Sequence, residues 1–343
     1  MKKQLKILCI LLSVSVASIC GADYSKHPEV TPFVELMVNK HQFQQQQVLD
    51  WLSEAKYQQS IVKAMSRPAE KVKPWHKYRK LFISQLRIQR GVKFWQENQQ
   101  TLQRAAKDFG VDPAIIVSII GIETNYGRNT GSYRVVDALS TLAFDYYVSV
   151  EKRDSRRKFF TTQLEHLLLL AREQNQDPLS LKGSYAGAMG WGQFMPNSYR
   201  NYAIDYDGDG LADIWTNPTD AIGSVANYFT EHGWKKDRPV ATRAHVEEGF
   251  DNRGLNKMHR PKISIADLKT KGYKPVENHP EDIRAFPMLL AGKYGDEYWL
   301  GFHNFYVIGR YNPRIKYAMA VYQLSLIIRE KHCESSKNCQ PSS

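Results

Sequence analysis

VDPAIIVSIIGIETNYGRNTG, residues 111–131, is the stretch of sequence around which the fold is organised. Asp112-Pro113 predicts a helix start, because an acidic N-cap is followed by Pro at the first helical position. Apolar residues then cover almost every face of about three helical turns. A helix that is apolar all round is typical of a protein core. We therefore predict a buried central helix from Pro113 onwards.

One carboxylate, Glu123, stands where this helix gives way to the polar and Gly residues 124–128. Burial and the negative end of the helix dipole both disfavour its charged form. The sequence thus predicts a raised pKa, which suits a general acid near neutral pH. The alternative is a surface glutamate that ends a core helix and pairs with Arg128.

The composition is that of an ordinary soluble globular protein. The chain has 343 residues, of which 42% are hydrophobic and 24% charged, and it is long enough for two or more domains. Its net charge of +12 suits nucleic acid, anionic lipid or an acidic polymer as a partner. Basic residues are spread along the chain without a nucleic-acid-binding motif, which argues against nucleic acid.

Residues 1–22 have the pattern of a secretory signal peptide, with Lys2, Lys3 and Lys6 before an apolar run too short to span a bilayer comfortably. Cleavage after Ala22 would release a soluble exported protein. Alternatively, Cys20 would be lipidated, although the bulky Ile19 fits a lipobox poorly.

The cysteines also favour export. Cys333 and Cys339 form an isolated pair near the C-terminus. This spacing suits a small disulfide loop in an oxidising compartment, the alternative being two free thiols.

The stretch KGSYAGAMGWGQFMPNSY, residues 182–199, is rich in Gly and aromatic residues. Gly allows a ligand to approach the backbone closely. The aromatic residues Tyr185, Trp191 and Phe194 alternate with the polar Ser184 and Gln193. This composition favours a groove for a flat polar ligand such as a sugar, the alternative being a tightly packed structural loop.

The stretch DYDGDGLADIWTNPTD, residues 205–220, opens like an EF-hand calcium loop. Asp205, Asp207 and Asp209 occupy positions 1, 3 and 5, Gly follows at position 6, and Leu211 would offer its carbonyl at position 7. The usual Glu at position 12 is absent. We favour Asp220 as the closing ligand, although it could instead cap the next helix, and Asp213 remains an alternative. An acidic turn without metal is the other interpretation.

The remaining segments carry coarser signals. Residues 23–110 are predicted to be helical, with a basic, aromatic loop at 71–78 and a helix from 78 to about 100. Residues 151–158 are predicted to form a charged turn. Short apolar runs separated by Gly, Pro and Asn predict a small β-rich segment over 238–310, and a helix follows after 311.

Four blocks together resemble the membrane-bound lytic murein transglycosylase B family, and they occur in the family's order. They are GIETNYGR (121–128), KGSYAGAMGWGQFMP (182–196), DAIGSVANYF (220–229) and RYNPRIKYAMAV (310–321). The resemblance implies an α+β fold, mainly α, with a lysozyme-like core, a flanking α domain and a small β domain. The expected domains are a signal peptide (1–22), an N-terminal helical domain (23–100), a lysozyme-like catalytic core with the calcium loop (101–237), a small β-rich domain (238–304), a C-terminal helix returning to the core (305–330) and a tail (331–343).

The resemblance also implies roles for individual residues. Glu123 would be the single catalytic acid/base. Side chains that would line the glycan groove are Ser184, Gln193, Tyr228, Tyr311, Asn312, Tyr317 and, less securely, Tyr78. A structural Ca²⁺ would be held by Asp205, Asp207, Asp209, Leu211 and Asp220, and the chemistry itself would need no cofactor.

The function implied is cleavage of the β-1,4 bond between MurNAc and GlcNAc in peptidoglycan without water, which forms 1,6-anhydro-MurNAc ends. The alternatives are a hydrolytic muramidase and a non-catalytic peptidoglycan-binding protein. The expected partner is the glycan strand, with no nucleic acid. We expect a monomer in the periplasm of a Gram-negative bacterium, either soluble or anchored to the outer membrane through Cys20.

Overall fold

The computed structural model describes residues 23–66, 73–145 and 150–335, with no side-chain detail for 150–153. The predicted signal peptide, Cys20 and Cys339 lie outside these ranges. Cys333 is disulfide-bonded, and the other cysteines of the chain all lie outside the described residues. Within the described ranges, no helix has both the length and the apolar character needed to cross a membrane.

Helices occupy most of the chain before the central helix. Their bounds are α1 (Thr31–His41), α2 (Gln45–Glu54), α3 (Gln59–Met65), α4 (Trp75–Phe82), α5 (Gln85–Glu97) and α6 (Gln99–Phe109). The loop predicted at 71–78 is wrong from Trp75 onwards, because α4 begins there. The single helix predicted from 78 to about 100 is also wrong. The chain breaks at Ser84, whose side chain caps α5 by accepting from the Arg87 N–H.

The predicted buried helix is confirmed as α7 (Pro113–Thr124). The Asp112 carboxylate accepts a hydrogen bond from the Ala114 N–H at 2.9 Å, so Asp112 is the N-cap. Every residue from Ala114 to Ile122 is buried. The helix ends at Asn125, which adopts the left-handed conformation with φ of 53°. A side chain at position 123 therefore leaves the core in the last turn.

After α7 the chain forms β1 (Tyr133–Arg134), α8 (Val135–Ser140), a π-helical turn (Thr141–Asp145) and α9 (Val150–Glu173). The turn predicted at 151–158 is wrong, because α9 runs through it. Lys, Arg and Glu are good helix formers, so this charged segment continues the helix that leads into the apolar residues of its C-terminal half.

Next come β2 (Lys182–Gly183), which pairs with β1, and helices α10 (Pro196–Tyr202) and α11 (Pro218–Glu231). Asn217 is the N-cap of α11, and its side chain accepts from the N–H groups of Thr219 and Asp220. The suggestion that Asp220 caps this helix is therefore wrong. Asp220 lies inside the first turn and is buried.

The β-rich segment forms a five-stranded antiparallel sheet. Its strands are β3 (Ala241–Val246), β4 (Ile263–Ser264), β5 (Tyr273–Pro275), β6 (Arg284–Ala291) and β7 (Asp296–Gly301), in the spatial order β4-β6-β7-β3-β5, with α12 (Ile265–Thr270) between β4 and β5. The β-rich prediction holds only up to Gly301. Residues His303–Tyr311 form helix α13 instead, and α14 (Ile315–Ser335) follows.

Alternate residues of the sheet pack on opposite faces. Phe286, Met288 and Trp299 belong to the core that contains α7 and α14. Ala285 and Leu300 face a smaller core with α12. This period of two is what a sheet covered on both faces requires.

Two larger cores hold the helical body together. One joins α4–α7 with α11, α13 and α14. The other joins residues 24–61 with α8, α9 and the Gly-rich loop around Met189. The domain boundaries drawn from the sequence stay predictions.

Candidate active site

Glu123 leaves the last turn of α7 into a site formed mainly by apolar and aromatic side chains. Its carboxylate is half-buried and accepts a hydrogen bond from the Tyr317 hydroxyl at its Oε1. Burial raises the pKa of Glu123 from 4.5 to about 7, and the Tyr317 hydrogen bond opposes the shift. Glu123 thus has the electrostatic setting that a proton-transfer group needs near neutral pH.

Among the described residues, no second carboxylate contributes to the pKa of Glu123. Asp137 is held by Arg134 through contacts at 2.7 and 3.0 Å. Asp145 accepts from the Tyr24 hydroxyl at 2.6 Å. Both aspartates are therefore held by partners other than Glu123. Arg128 is exposed and forms no ion pair with Glu123.

Three tyrosines from different helices pack together on one side of the site: Tyr317 donates to Glu123, Tyr311 is close enough to interact with it electrostatically, and Tyr228 packs against Tyr311. Tyr317 is nearly buried on α14, and Tyr311 at the end of α13 donates to the Gly192 carbonyl at 2.6 Å. Tyr228 on α11 donates to the Arg310 carbonyl at 2.7 Å, and its ring centroid lies 4.6 Å from that of Tyr311. These hydrogen bonds fix the rings, so they form a rigid wall.

The Gly-rich loop is tied directly to the end of α7. Thr124, the residue after Glu123, donates from its hydroxyl to the Trp191 carbonyl at 3.0 Å. Gly127 has φ of +75°, and a Cβ there would lie 2.4 Å from the Trp191 ring. Thr124 is a site residue that the sequence pattern does not single out. Its position beside Glu123 was the available signal.

Ser184 and Gln193 lie on this loop with part of their surface exposed. The Ser184 hydroxyl accepts from the Ala188 N–H at 3.1 Å. The Gln193 amide donates to the Thr130 and Gly190 carbonyls at 3.1 and 3.0 Å. Tyr185 projects further, with 46% of its surface exposed.

Asn312 and Tyr78 differ in how tightly the fold holds their side chains. The Asn312 side chain is partly exposed and makes no hydrogen bond to a described residue. Tyr78 stacks on Trp75 at 6.3 Å between ring centroids and packs against the core around α7. Glu123 is among the causes that raise the Tyr78 pKa, after burial, so the two groups are close enough to interact.

The acidic loop gathers four carboxylates. Ligand oxygens of Asp205, Asp207, Asp209 and Asp220 lie within 4.8 Å of one another. The first three are exposed, whereas Asp220 is buried. Such a set of hard oxygen ligands fits Ca²⁺.

Backbone groups shape this cluster. Asp205 accepts from the N–H groups of Gly208 and Gly210, each at 2.7 Å, and Gly208 and Gly210 have φ of +84° and +99°. Asp220 accepts from the N–H groups of Tyr206 at 2.7 Å and Asp213 at 2.8 Å. The loop is therefore folded so that its carboxylates converge.

Asp213 does not join this set. Its carboxylate accepts from the N–H groups of Trp215 and Thr216 and closes a local turn. The Leu211 carbonyl accepts from the Asp213 N–H at 2.9 Å. Asn217, which lies outside the predicted ligand set, donates to Asp207 at 2.7 Å and also caps α11. The Asn-Pro pair at 217–218 was the signal for that cap.

The chain is similar to known proteins both in family and in overall sequence. Residues 25–326 match the family described as Transglycosylase SLT domain. The chain is 44% identical over 313 residues to membrane-bound lytic murein transglycosylase B of Escherichia coli (strain K12), covering 89% of this chain and 83% of that protein.

Solved structures of related enzymes share the fold of this chain. Catenated lytic transglycosylase SltB1 from Pseudomonas aeruginosa is 49% identical, with a TM-score of 0.85 over 90% of this chain and 100% of that one. Escherichia coli lytic transglycosylase Slt35 in complex with calcium is 42% identical, with a TM-score of 0.81 over 91% of this chain and 96% of that one. The same enzyme has been solved in complex with bulgecin A.

Proposed function

The chain belongs to the transglycosylase SLT family and is a lytic murein transglycosylase, and we propose that Glu123 is its single acid/base. The observation that carries the assignment is a half-buried carboxylate whose pKa is raised to about 7 by burial, without a second described carboxylate acting on it. Hydrolysis of a glycoside normally uses a pair of carboxylates. One carboxylate suffices when the substrate supplies the nucleophile.

In the proposed reaction, protonated Glu123 gives its proton to the oxygen that links muramic acid to the next sugar. The bond from C1 to that oxygen breaks, and the N-acetyl oxygen stabilises the developing positive charge. The C6 hydroxyl then attacks C1 and returns its proton to Glu123. The product is a 1,6-anhydro end, no water is consumed, and the enzyme recovers its starting protonation state.

The groove would position the glycan for this step. Tyr228, Tyr311 and Tyr317 offer rigid aromatic surface beside Glu123, and the exposed Tyr185 extends it. Ser184, Gln193 and the free Asn312 amide supply polar groups for sugar hydroxyls. Tyr78 would contribute from the opposite helix, α4. The hydrogen bond from Tyr317 would orient the Glu123 carboxylate.

We further propose that Asp205, Asp207, Asp209, Asp220 and the Leu211 carbonyl would hold a structural Ca²⁺. The support is the convergence of the four carboxylates, together with the calcium complex of Slt35. The ion would offset the repulsion among these carboxylates and so stabilise the fold.

We also propose export to the periplasm, which the pattern of residues 1–22 and the disulfide at Cys333 support. The mass of the mature N-terminus would separate the two proposed forms. A start at Asp23 means a soluble enzyme, and an acylated Cys20 means one anchored to the outer membrane.

Mass spectrometry of the muropeptides released from murein tests the chemistry. We expect 1,6-anhydro-muramic acid ends from the wild type and none from Glu123→Gln. Reducing-end muramic acid would instead make the protein a hydrolytic muramidase. Binding to sacculi without soluble products would make it a non-catalytic peptidoglycan-binding protein.

A further inference from the structure

A basic cleft of about 910 Å³ lies between the β-sheet and the start of α13. We define the basic cleft by the five cationic side chains that line it: Lys235, Arg238, Arg260, Lys262 and Arg284. Its apolar lining includes Phe302 and Ile283. No aspartate or glutamate is among the described residues that line it.

These five cations are not neutralised by the fold. Each is exposed, and none forms an ion pair with a carboxylate of the described residues. Elsewhere on the same sheet, basic residues are paired, as Arg243 is with Glu297 at 3.3 Å. Five like charges that converge without counter-charge make a cleft of positive potential, which favours an anionic ligand.

The backbone at the rim of the cleft is held by hydrogen bonds. Asn304 is fully buried, and its side-chain oxygen accepts from the Lys235 N–H at 2.9 Å. Its amide donates to the carbonyls of Lys235 and Arg238 at 2.8 and 3.0 Å. His303, which also lines the cleft, contacts the Gly233 carbonyl at 2.7 Å. One buried amide therefore fixes the backbone that carries two of the five cations.

The cleft shares a helix with the proposed glycan groove. Helix α13 starts at His303 in the cleft and ends at Tyr311 beside Glu123. Its nine residues span roughly 12 Å at the rise of an α-helix. Four residues of extended peptide have a similar reach, roughly 13 Å. The length of a stem peptide is therefore comparable to the separation of the two sites along α13.

We propose that the basic cleft binds the carboxylates of a stem peptide attached to the glycan strand, which rests on the function proposed above. Murein peptides carry several free carboxylates among small apolar side chains. The cations of the cleft match the former, and its apolar floor matches the latter. A concave site of this size admits a short peptide, whereas a flat lipid surface or a nucleic-acid duplex would meet only its rim.

The test measures kcat/KM on two substrates with the full mature protein. One is glycan strands that retain their peptides, and the other is the same strands after an amidase has removed them. The cleft variant is Lys235→Gln with Lys262→Gln. The matched control is Lys63→Gln with Lys107→Gln, which removes two exposed lysines elsewhere and changes the net charge equally.

We expect the cleft variant to lose about fivefold in kcat/KM on peptide-bearing strands, as two exposed charge contacts would give. On peptide-free strands it should match the wild type. An equal loss on both substrates would overturn the proposal, as would the same loss in the control variant. The proposed function fails separately, if neither substrate yields anhydro ends from the wild type.

A binding measurement identifies the anion. A synthetic stem tetrapeptide with free carboxylates should shift the NMR signals of residues around Phe302 in the wild type and bind about fivefold more weakly to the cleft variant, and its fully amidated form should shift the signals of neither protein. Equal binding of the amidated peptide would overturn the proposal. Tighter binding of inorganic phosphate or a single-stranded oligonucleotide would also overturn it and assign the cleft to phosphate.

Discussion

Glu123 and the acidic loop use the same functional group in opposite surroundings. Glu123 stands at the end of an apolar helix with one hydrogen-bond donor, and burial raises its pKa to about 7. Asp205 is exposed, and backbone hydrogen bonds, that from Gly210 above all, lower its pKa. A carboxylate with few donors in an apolar site becomes a proton carrier, whereas one surrounded by N–H groups stays charged and can hold a cation.

The largest effect should separate the two regions by activity. Glu123→Gln removes the proposed acid/base, so we expect turnover of murein to fall by about 10²–10⁴. Asp207→Ala in the acidic loop should leave low-temperature turnover within about threefold, because its proposed role is structural. Glu97→Gln, at an exposed site on α5, is the control for mutation itself. Full activity in Glu123→Gln would refute the assignment of the acid/base.

The next effect concerns the proposed metal. Chelation should lower the Tm by about 4 °C, because Ca²⁺ at a hundredfold excess over its Kd contributes about 2.7 kcal/mol and the entropy of unfolding grows with chain length. Added Ca²⁺ should restore the Tm, and Mg²⁺ should do so less well. Asp220→Asn should abolish this response, and Asp213→Asn should keep it. A Tm of the wild type that ignores both EDTA and Ca²⁺ would reduce the loop to an acidic turn.

Ionised Glu123 should destabilise the fold, whereas the acidic loop with its metal should stabilise it. A carboxylate whose pKa rises from 4.5 unfolded to about 7 folded binds more protons in the native state between these values. The free energy of unfolding therefore falls as pH rises through this window. Glu123→Gln should match the wild type near pH 4 and exceed it by about 3 kcal/mol above pH 8, since one pKa unit corresponds to about 1.4 kcal/mol. Chemical denaturation at several pH values would measure this, and a difference independent of pH would contradict the raised pKa.

The smallest effect tests Tyr317. Its hydroxyl stabilises charged Glu123, so Tyr317→Phe should raise the pKa of Glu123 above about 7. The alkaline limb of the pH–rate profile should then move upward by up to about one pH unit, with a few-fold loss in rate. Tyr322→Phe removes a hydroxyl on the same helix that donates to Ala241, so it is the control. An unchanged alkaline limb in Tyr317→Phe would show that the Tyr317 hydroxyl does not influence the pKa of Glu123.

The features that depend on neighbours along the chain could be predicted from the residues alone. Asp112-Pro113 and the apolar run after it fixed α7 and the setting of Glu123, because capping and burial of a helix are written locally. The spacing of Asp205, Asp207 and Asp209 indicated the acidic loop for the same reason. The turn predicted over the charged segment 151–158 was wrong, because charge indicates exposure but does not distinguish a turn from a solvated helix.

Contacts between groups that are distant in the sequence could not be predicted and are visible only in the folded protein. Tyr317 reaches Glu123 across 194 residues, and Asp220 joins the acidic loop while the closer Asp213 turns back on its own backbone. The five cations of the basic cleft are scattered along the sequence, and folding brings them together. Such contacts depend on how helices and sheet pack, which the local pattern of residues does not encode.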